Sequence, residues 1–247
     1  MNKDINSAKP MRFSPFFTAI PFRHSATGIG IPILDECDRR CLAEIATLVD
    51  FPRGTVFQRQ GEGATCVYNL VSGIVKTSCV SLEGKETVTA FHFPGDVIGL
   101  AENGTYLNTA TTLENVSAFY LPLSSLEALL RKHPKLELHF LCKVCHELRE
   151  EQRHAILLAS GSARTKIVLF LHLMQIQGSI ETNDSACIIL PMKRLDIANY
   201  TGLTIETVSR TFNRLENDGI LKIDGPHRIR ITNELLFDQI AKSAETT

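Results

Sequence analysis

The spacing of apolar residues changes from strand-like to helical at Pro122, and that change constrains the fold more than any other feature. Between Thr55 and Leu123 the sequence consists of short β-branched runs at 66–71, 74–80, 86–93 and 116–121, separated by Gly61, Gly63, Gly73, Gly84 and Gly95. Breaks of this kind predict antiparallel strands closing into a compact barrel or roll. After Pro122 the spacing becomes helical. Leu126, Leu129 and Leu130 form a short segment that ends before Pro134, and a long helix is expected from 135 to 159. A short helix from 38 to 49 is expected to precede the strands. Residues 1–30, rich in Ser, Thr, Pro and Gly, read as an arm.

Composition excludes several classes. With 44% hydrophobic residues in 247, the chain can build a real core and is not a disordered polymer. Phe13, Phe16, Phe17, Ile20 and Phe22 are interrupted by Pro15, Pro21 and Arg23, so the first residues form neither a signal sequence nor a membrane span. A cytoplasmic protein is expected, in which the seven cysteines stay reduced. The net charge of −1 gives no support to nucleic-acid binding, and from Arg164 onward ten basic residues face ten acidic ones. Any such function must rest on where the charges sit.

Within the long helix Leu141, Val144, Leu148, Glu151, Ala155 and Leu158 recur at alternating steps of three and four. This is a narrow heptad seam, flanked by Lys143, Arg149, Glu150 and Arg153, and it favours pairing with a second chain. Glu151 would then face its own copy and weaken the association. Gly161 and Ser162 form a hinge, 164–177 is an amphipathic helix with Ile167, Leu171 and Met174 in one row, Asn183, Asp184 and Ser185 suggest a turn, and 187–190 a short strand.

The stretch from Arg194 to Asn217 has the spacing of a helix-turn-helix. Ala198 is small where two helices cross, Gly202 supplies a positive φ for the turn, and Val208 packs inward. Thr204 can cap the second helix, and Glu206 complements its dipole. Val208, Phe212 and Leu215 fall on one face; Glu206, Ser209, Arg210 and Asn213 fall on the other. That outward row suits base edges: Arg210 for guanine, Glu206 as an acceptor from cytosine, Ser209 for a base or a thymine methyl. Lys193, Arg194, Thr204, Arg214 and Arg228, the last beside Arg230, are the expected phosphate contacts. Gly219 stops the helix, and the following run to Ile231 reads as a hairpin wing turning at Asp224, Gly225 and Pro226.

These residues resemble the Crp/Fnr regulators, in the Fnr/FixK-like subgroup. The resemblance rests on Gly202-Leu-Thr-Ile-Glu-Thr-Val-Ser-Arg210 with Leu215 and Gly219, and on Phe91-His-Phe-Pro-Gly-Asp-Val-Ile-Gly99. It covers about 37–240. It implies an α+β chain: an arm at 1–30, a cyclic-nucleotide-binding-like β-roll sensor domain at 31–133, a dimerisation helix at 134–160 and a winged-helix DNA-binding domain at 161–247. The implied protein is a cytoplasmic homodimeric transcription regulator, not an enzyme, that binds double-stranded DNA and RNA polymerase. Glu206, Ser209 and Arg210 match the pattern implying a palindromic TTGAT-like target and a redox, oxygen or nitrogen-oxide response.

Departures from the family pattern bear on the signal. Family members that bind cyclic AMP carry a Gly-Glu-Leu turn and an Arg-Ser pair, whereas 99–111 here contains no arginine, and a buried phosphate needs Arg or Lys. Members with an iron–sulfur cluster hold it on cysteines of the arm, and no cysteine precedes Cys37. Neither cofactor is supported, and the cofactor is unknown. A haem-, metal- or thiol-based sensor is the alternative, with a cyclic-nucleotide response behind it. Cys142, Cys145 and His146 form the one metal-like cluster, although both cysteines read better as small apolar fillers under the roll and outside the seam. Cys37, Cys41, Cys66, Cys79 and Cys187 are expected in the core, and His92 as a satisfied histidine rather than a haem ligand. No P-loop, dinucleotide fingerprint or nucleophile motif is present.

Overall fold

The described residues begin with a helix, α1 (Glu36–Ile45), and then enter eight short strands: β1 (Thr47–Phe51), β2 (Val56–Gln58), β3 (Cys66–Ser72), β4 (Val75–Val80), β5 (Glu86–His92), β6 (Val97–Ile98), β7 (Thr109–Thr112) and β8 (Val116–Pro122). These form two antiparallel four-stranded sheets, ordered β1-β8-β3-β6 and β2-β7-β4-β5. The structure, a computed structural model, describes residues 36–245 apart from 102, 178–179 and 182–183. The expected arm at 1–30 lies outside the described residues.

The four long strands agree with the sequence expectation. The expected helix to residue 49 stops instead at Ile45, and Thr47–Phe51 pairs with β8 from Thr47↔Tyr120 to Phe51↔Val116. Thr47 and Val49 are β-branched and favour this outcome. Gly73 turns β3 into β4 at φ 82°, and a Cβ there would lie 2.5 Å from the Asn115 carbonyl, so glycine is required for both the angle and the space.

Inside the roll, Leu70, Val75, Ala110 and Ala118 are wholly buried. The rings of Phe51 and Phe57 stack at 4.9 Å, and Tyr68 meets Phe57 edge-on at 4.8 Å and Tyr120 at 5.7 Å. Helix α2 (Leu123–Leu130) and the start of α3 (Pro134–Ala159) cover one side of the roll through Leu126, Leu136 and Phe140, packed with Leu42 and Leu121.

Helix α3 buries a second, polar stripe. The Lys143 ammonium donates to the Gly95 carbonyl, and Asn69 Nδ2 donates to the carbonyls of Gly95 and Asp96 at 3.1 and 3.2 Å. The turn between β5 and β6 is therefore tied to the helix. Burial and then the neighbouring Asp96 push the Glu147 carboxyl up to about 8.

Beyond Ser160 come α4 (Ala163–Ile176), β9 (Ile180–Glu181), β10 (Asp184–Ile189), α5 (Arg194–Thr201), α6 (Ile205–Asn217), β11 (Leu221–Ile223), β12 (Arg228–Ile231) and α7 (Glu234–Glu245). Ser162, at the expected hinge, caps α4 by accepting from Thr165 N at 3.0 Å. The turn expected at 183–185 is corrected. Asp184 and Ser185 open a strand, because β10 must reach far enough to pair with both β9 and β12, and Asn183 lies outside the described residues.

The C-terminal helices and the roll share a continuous core. Phe91 on β5 meets Tyr200 at 5.1 Å and Phe170 at 5.9 Å between ring centroids. At the edge of this junction Lys76 Nζ bridges Asp196 Oδ1 at 2.6 Å and Glu86 Oε1 at 3.1 Å, with the Lys76 and Asp196 side chains only 14% and 8% exposed.

Two outcomes are expected. Lys76→Met leaves the Asp196 carboxylate without its cation, so the urea midpoint should fall by the equivalent of roughly 2–3 kcal/mol; an unchanged midpoint would show that apolar packing alone docks the two parts. A carboxyl held near 8 costs stability as pH rises above its unfolded value, and the cost grows until the pH passes 8. Wild-type stability should therefore decline relative to Glu147→Gln between about pH 5 and 8. Parallel curves from denaturant melts across that range would refute this burial effect.

Candidate nucleic-acid interface

Helices α5 and α6 meet at a sharp corner set by three small or apolar residues. Ala198 is buried at the crossing, and its carbonyl accepts from Leu203 N at 3.1 Å. Gly202 sits at φ 66°, in the left-handed region that a side chain resists. Val208 is wholly buried. Thr204 Oγ1 caps α6 by accepting from Thr207 N at 3.2 Å.

Helix α6 then divides cleanly. Val208, Phe212 and Leu215 are buried, whereas Glu206, Ser209, Arg210 and Asn213 are exposed along one row. Its own backbone N–H and the Thr204 hydroxyl hold the Glu206 carboxyl below the usual carboxylate range, so it is a hydrogen-bond acceptor at neutral pH. Arg210 lies along the helix, with only long contacts of 3.4 Å to the Glu206 carbonyl and 3.5 Å to Thr207 Oγ1. Its guanidinium is available to swing outward.

Of the expected phosphate contacts, Lys193 and Thr204 are exposed at the starts of α5 and α6, Arg214 is exposed in the last turn of α6, and Arg228 is exposed on the wing. Arg194 departs from expectation. Its guanidinium carbon lies 3.7 Å above the centre of the Phe212 ring, and burial lowers its pKa. Arg194 therefore braces the α5–α6 corner by a cation–π contact rather than reaching outward. The sequence shows two charged helices but not which side chain folds between them.

The expected wing is a hairpin of β11 and β12, turned through Gly225 at φ 132° and extended by β10. Glu216 Oε1 accepts from Ile223 N at 2.8 Å and ties the wing to α6. Asp224 pairs with Arg230 at 3.0 Å and Lys222 at 3.3 Å. Lys222 was missed by the sequence reading. It lies directly across from Arg230 in the hairpin, and the alternation Leu221-Lys222-Ile223 carries that signal.

On α3 every residue of the expected seam is exposed, with Leu141 and Leu148 at 57% and 60%. Two cysteine expectations need correction. Cys145 is exposed, seven residues after exposed Leu138 and one turn from both Leu141 and Leu148, so it belongs to the outward face and is no filler. Cys37 is exposed on the outer side of α1 and Cys41 half-buried, whereas Leu42 takes the core position. Cys142 and Cys79 are half-buried, and Cys66 and Cys187 are buried as expected. Among the described residues no group of three His, Cys, Asp or Glu is arranged to hold a metal, so Cys142, Cys145 and His146 are not assembled into a site. His92 Nε2 shares a hydrogen bond with Thr77 Oγ1 at 3.1 Å, as a satisfied core histidine does.

In the roll, the run from Gly99 is packed from within. The Tyr106 hydroxyl donates to the Cys66 carbonyl at 2.9 Å, and a Cβ on Gly99 would stand 2.9 Å from that carbonyl and 3.0 Å from Gln58 Oε1. Among the described residues no helix is long and apolar enough to cross a membrane.

Comparison with known proteins agrees with this geometry. Residues 48–133 match the cyclic nucleotide-binding domain family, and residues 165–235 match the Crp-like helix-turn-helix domain family. The transcriptional activator protein FnrA of Stutzerimonas stutzeri is 32% identical over 78% of this chain and 79% of its own. The anaerobic regulatory protein of Aggregatibacter actinomycetemcomitans is 31% identical over 73% of this chain and 71% of its own. The solved structure of FixK2 from Bradyrhizobium japonicum superimposes with a TM-score of 0.73 at 29% identity, covering 79% of this chain and 97% of that one. With a roll, a long helix and a helix-turn-helix in this order, the chain belongs to the Crp/Fnr family, among its Fnr- and FixK-like transcription regulators.

Proposed function

We propose that the protein acts as a homodimer on a palindromic, TTGAT-like DNA site and responds to a redox, oxygen or nitrogen-oxide related signal. The observation that carries the DNA part is the exposed row on α6. Glu206, Ser209, Arg210 and Asn213 stand above a fully buried face, so a helix laid in the major groove presents all four to base edges at once. Arg210 donates to guanine O6 and N7, and Glu206 accepts from cytosine N4. Lys193, Thr204, Arg214 and Arg228, with Lys222, set the register on phosphates, as backbone contacts do.

Pairing through α3 is supported by the exposed apolar stripe of Leu138, Leu141, Val144, Leu148 and Leu158. A stripe of this length is covered in the working protein, and a second copy of the same helix fits a heptad repeat. Two recognition helices one DNA turn apart would then meet successive major grooves, and the bound dimer would have RNA polymerase as its protein partner. The nature of the signal is supported by the relatives, one of which is an anaerobic regulatory protein.

Arg210→Ala should weaken binding to a TTGAT-containing duplex by roughly 1–3 kcal/mol while leaving scrambled DNA unaffected. Fluorescence anisotropy reads this directly, and equal affinity of wild type and variant for both duplexes would overturn the base-reading role. In sedimentation, Leu148→Glu should shift the protein toward monomer by about 3 kcal/mol or more, because two buried leucines are lost per dimer. Glu151→Ala should shift it the other way by removing a like-charge contact. Unchanged equilibria in both variants would exclude α3 as the interface.

A further inference from the structure

Between the roll, α3 and the helices of the DNA-binding part lies a cavity of about 110 Å³. Its walls come from β5, from the second half of α3, from α4 and from Tyr200 of α5. An apolar floor is formed by Phe91, Leu157, Leu169 and Leu173. An engineered apolar cavity of about 150 Å³ takes up benzene, so the scale suits a ring or a short branched chain, with room for the rest of a ligand toward the open side.

Among the charged residues of the lining the acidic ones prevail. Asp96, Glu150 and Glu151 contribute negative charge against a single Arg153 among the described residues, whereas Glu147, pushed up to about 8, is mostly protonated at neutral pH. That arginine is already engaged, since its guanidinium donates to Glu150 Oε1 at 2.6 Å. The other carboxylate oxygen of Glu150 is buried and has no hydrogen-bond partner, and the same is true of His172 Nδ1 on the opposite wall. Both atoms are closed off from the cavity, so a ligand meets its charged lining through Glu151 and the Glu150–Arg153 pair. Of the other lining histidines, His92 is engaged by Thr77 and His154 by the Tyr200 carbonyl.

We infer that this cavity binds a small organic cation, a protonated amine on a compact apolar body, and that its occupancy affects how the helix-turn-helix sits against the roll. The amine donates to the carboxylates of Glu150 and Glu151 and neutralises part of the acidic wall, while the apolar body covers Phe91 and the leucines. An anion is repelled by the same wall, and a neutral isostere forfeits the charge-assisted hydrogen bond. The coupling follows from location. His154 of α3 stacks on the Tyr200 ring at 4.0 Å and donates to its carbonyl at 2.8 Å, so the wall of the cavity is also the joint to α5.

Isothermal titration of the full chain with benzylamine, benzyl alcohol and benzoate tests the site. Benzylamine should bind saturably with a Kd of roughly millimolar order, as a ligand of so few atoms allows. Benzyl alcohol and benzoate should bind at least about tenfold more weakly. Glu150→Gln should lose about tenfold for benzylamine alone, and Ala90→Leu, which narrows the cavity from β5, should weaken benzylamine and benzyl alcohol together. Circular dichroism establishes that each variant is folded. No saturable binding of benzylamine, equal binding of all three probes, or an unaltered Glu150→Gln titration overturns the site. Saturating benzylamine should also change the affinity for a TTGAT duplex by about threefold or more, within the range of ordinary coupling energies; an unchanged affinity overturns the coupling. The titration uses no DNA, so failure of the proposed DNA target leaves its result intact.

Discussion

The double duty of α3 is the constraint on which the rest of the structure depends. A 26-residue helix can present one face to the roll and another outward only if its apolar residues fall in two distinct rows. Leu136, Phe140 and Leu157 are buried in one row, and Leu138, Leu141 and Leu148 stand exposed in the other. Lys143 interrupts the buried row. Its ammonium loses favourable hydration there, and the Gly95 carbonyl offsets this by fixing the β5–β6 turn to the helix. The roll thus reports its shape to α3 through a backbone group, and α3 in turn supports the helices that follow.

How much of this was legible in sequence depended on whether the determining contacts are local. The corner of the helix-turn-helix was legible because Ala198, Gly202, Thr204 and Val208 act within a few residues of one another. A positive φ at Gly202 and a cap at Thr204 are properties of the chain itself. The strands β1, β2, β6 and β7 were not legible. They run for two to five residues, and β1 owes its existence to β8, some seventy residues later. Arg194 illustrates the same limit at the site. Its charge and position suit a phosphate, and only the approach of Phe212 from the next helix turns it inward. Cys145 failed for a related reason: a heptad pattern identifies a row, but which side of that row is covered by the roll is decided in three dimensions.

Charge shows how a neutral domain can meet a polyanion. The acidic residues of the DNA-binding part are largely placed where they perform structural work. Asp196 holds Lys76 and accepts from Lys193 N, Asp218 pairs with Arg164 at 3.2 Å, Glu216 ties down the wing, and Asp224 sits between Lys222 and Arg230. Glu206 differs from these, being fully exposed on the outward face of α6 and kept ionised. A carboxylate facing phosphates costs binding energy unless it meets a donor, so under the base-reading role proposed for Glu206 it would penalise every sequence that lacks an amino group there.

The junction at Phe91, Phe170 and Tyr200 gives these parts a common fate. A purely apolar junction of this size would be rigid, and an entirely polar one would be loose. The observed joint mixes the two, with an aromatic core, a buried Lys76–Asp196 pair on one side and the stacked His154 and Tyr200 on the other. Aromatic packing tolerates small rotations, whereas the ion pair and the His154 hydrogen bond have definite geometries. Both polar contacts end on α5, the helix that carries Ala198 into the corner with α6. A shift of α3 or β5 must therefore either break one of them or carry α5 along, and α6 moves with α5 because Gly202 and the Arg194–Phe212 contact leave little play in the corner. Displacement at the roll would in this way displace Glu206, Ser209 and Arg210, which is what the proposed control of a reading helix by the roll requires mechanically.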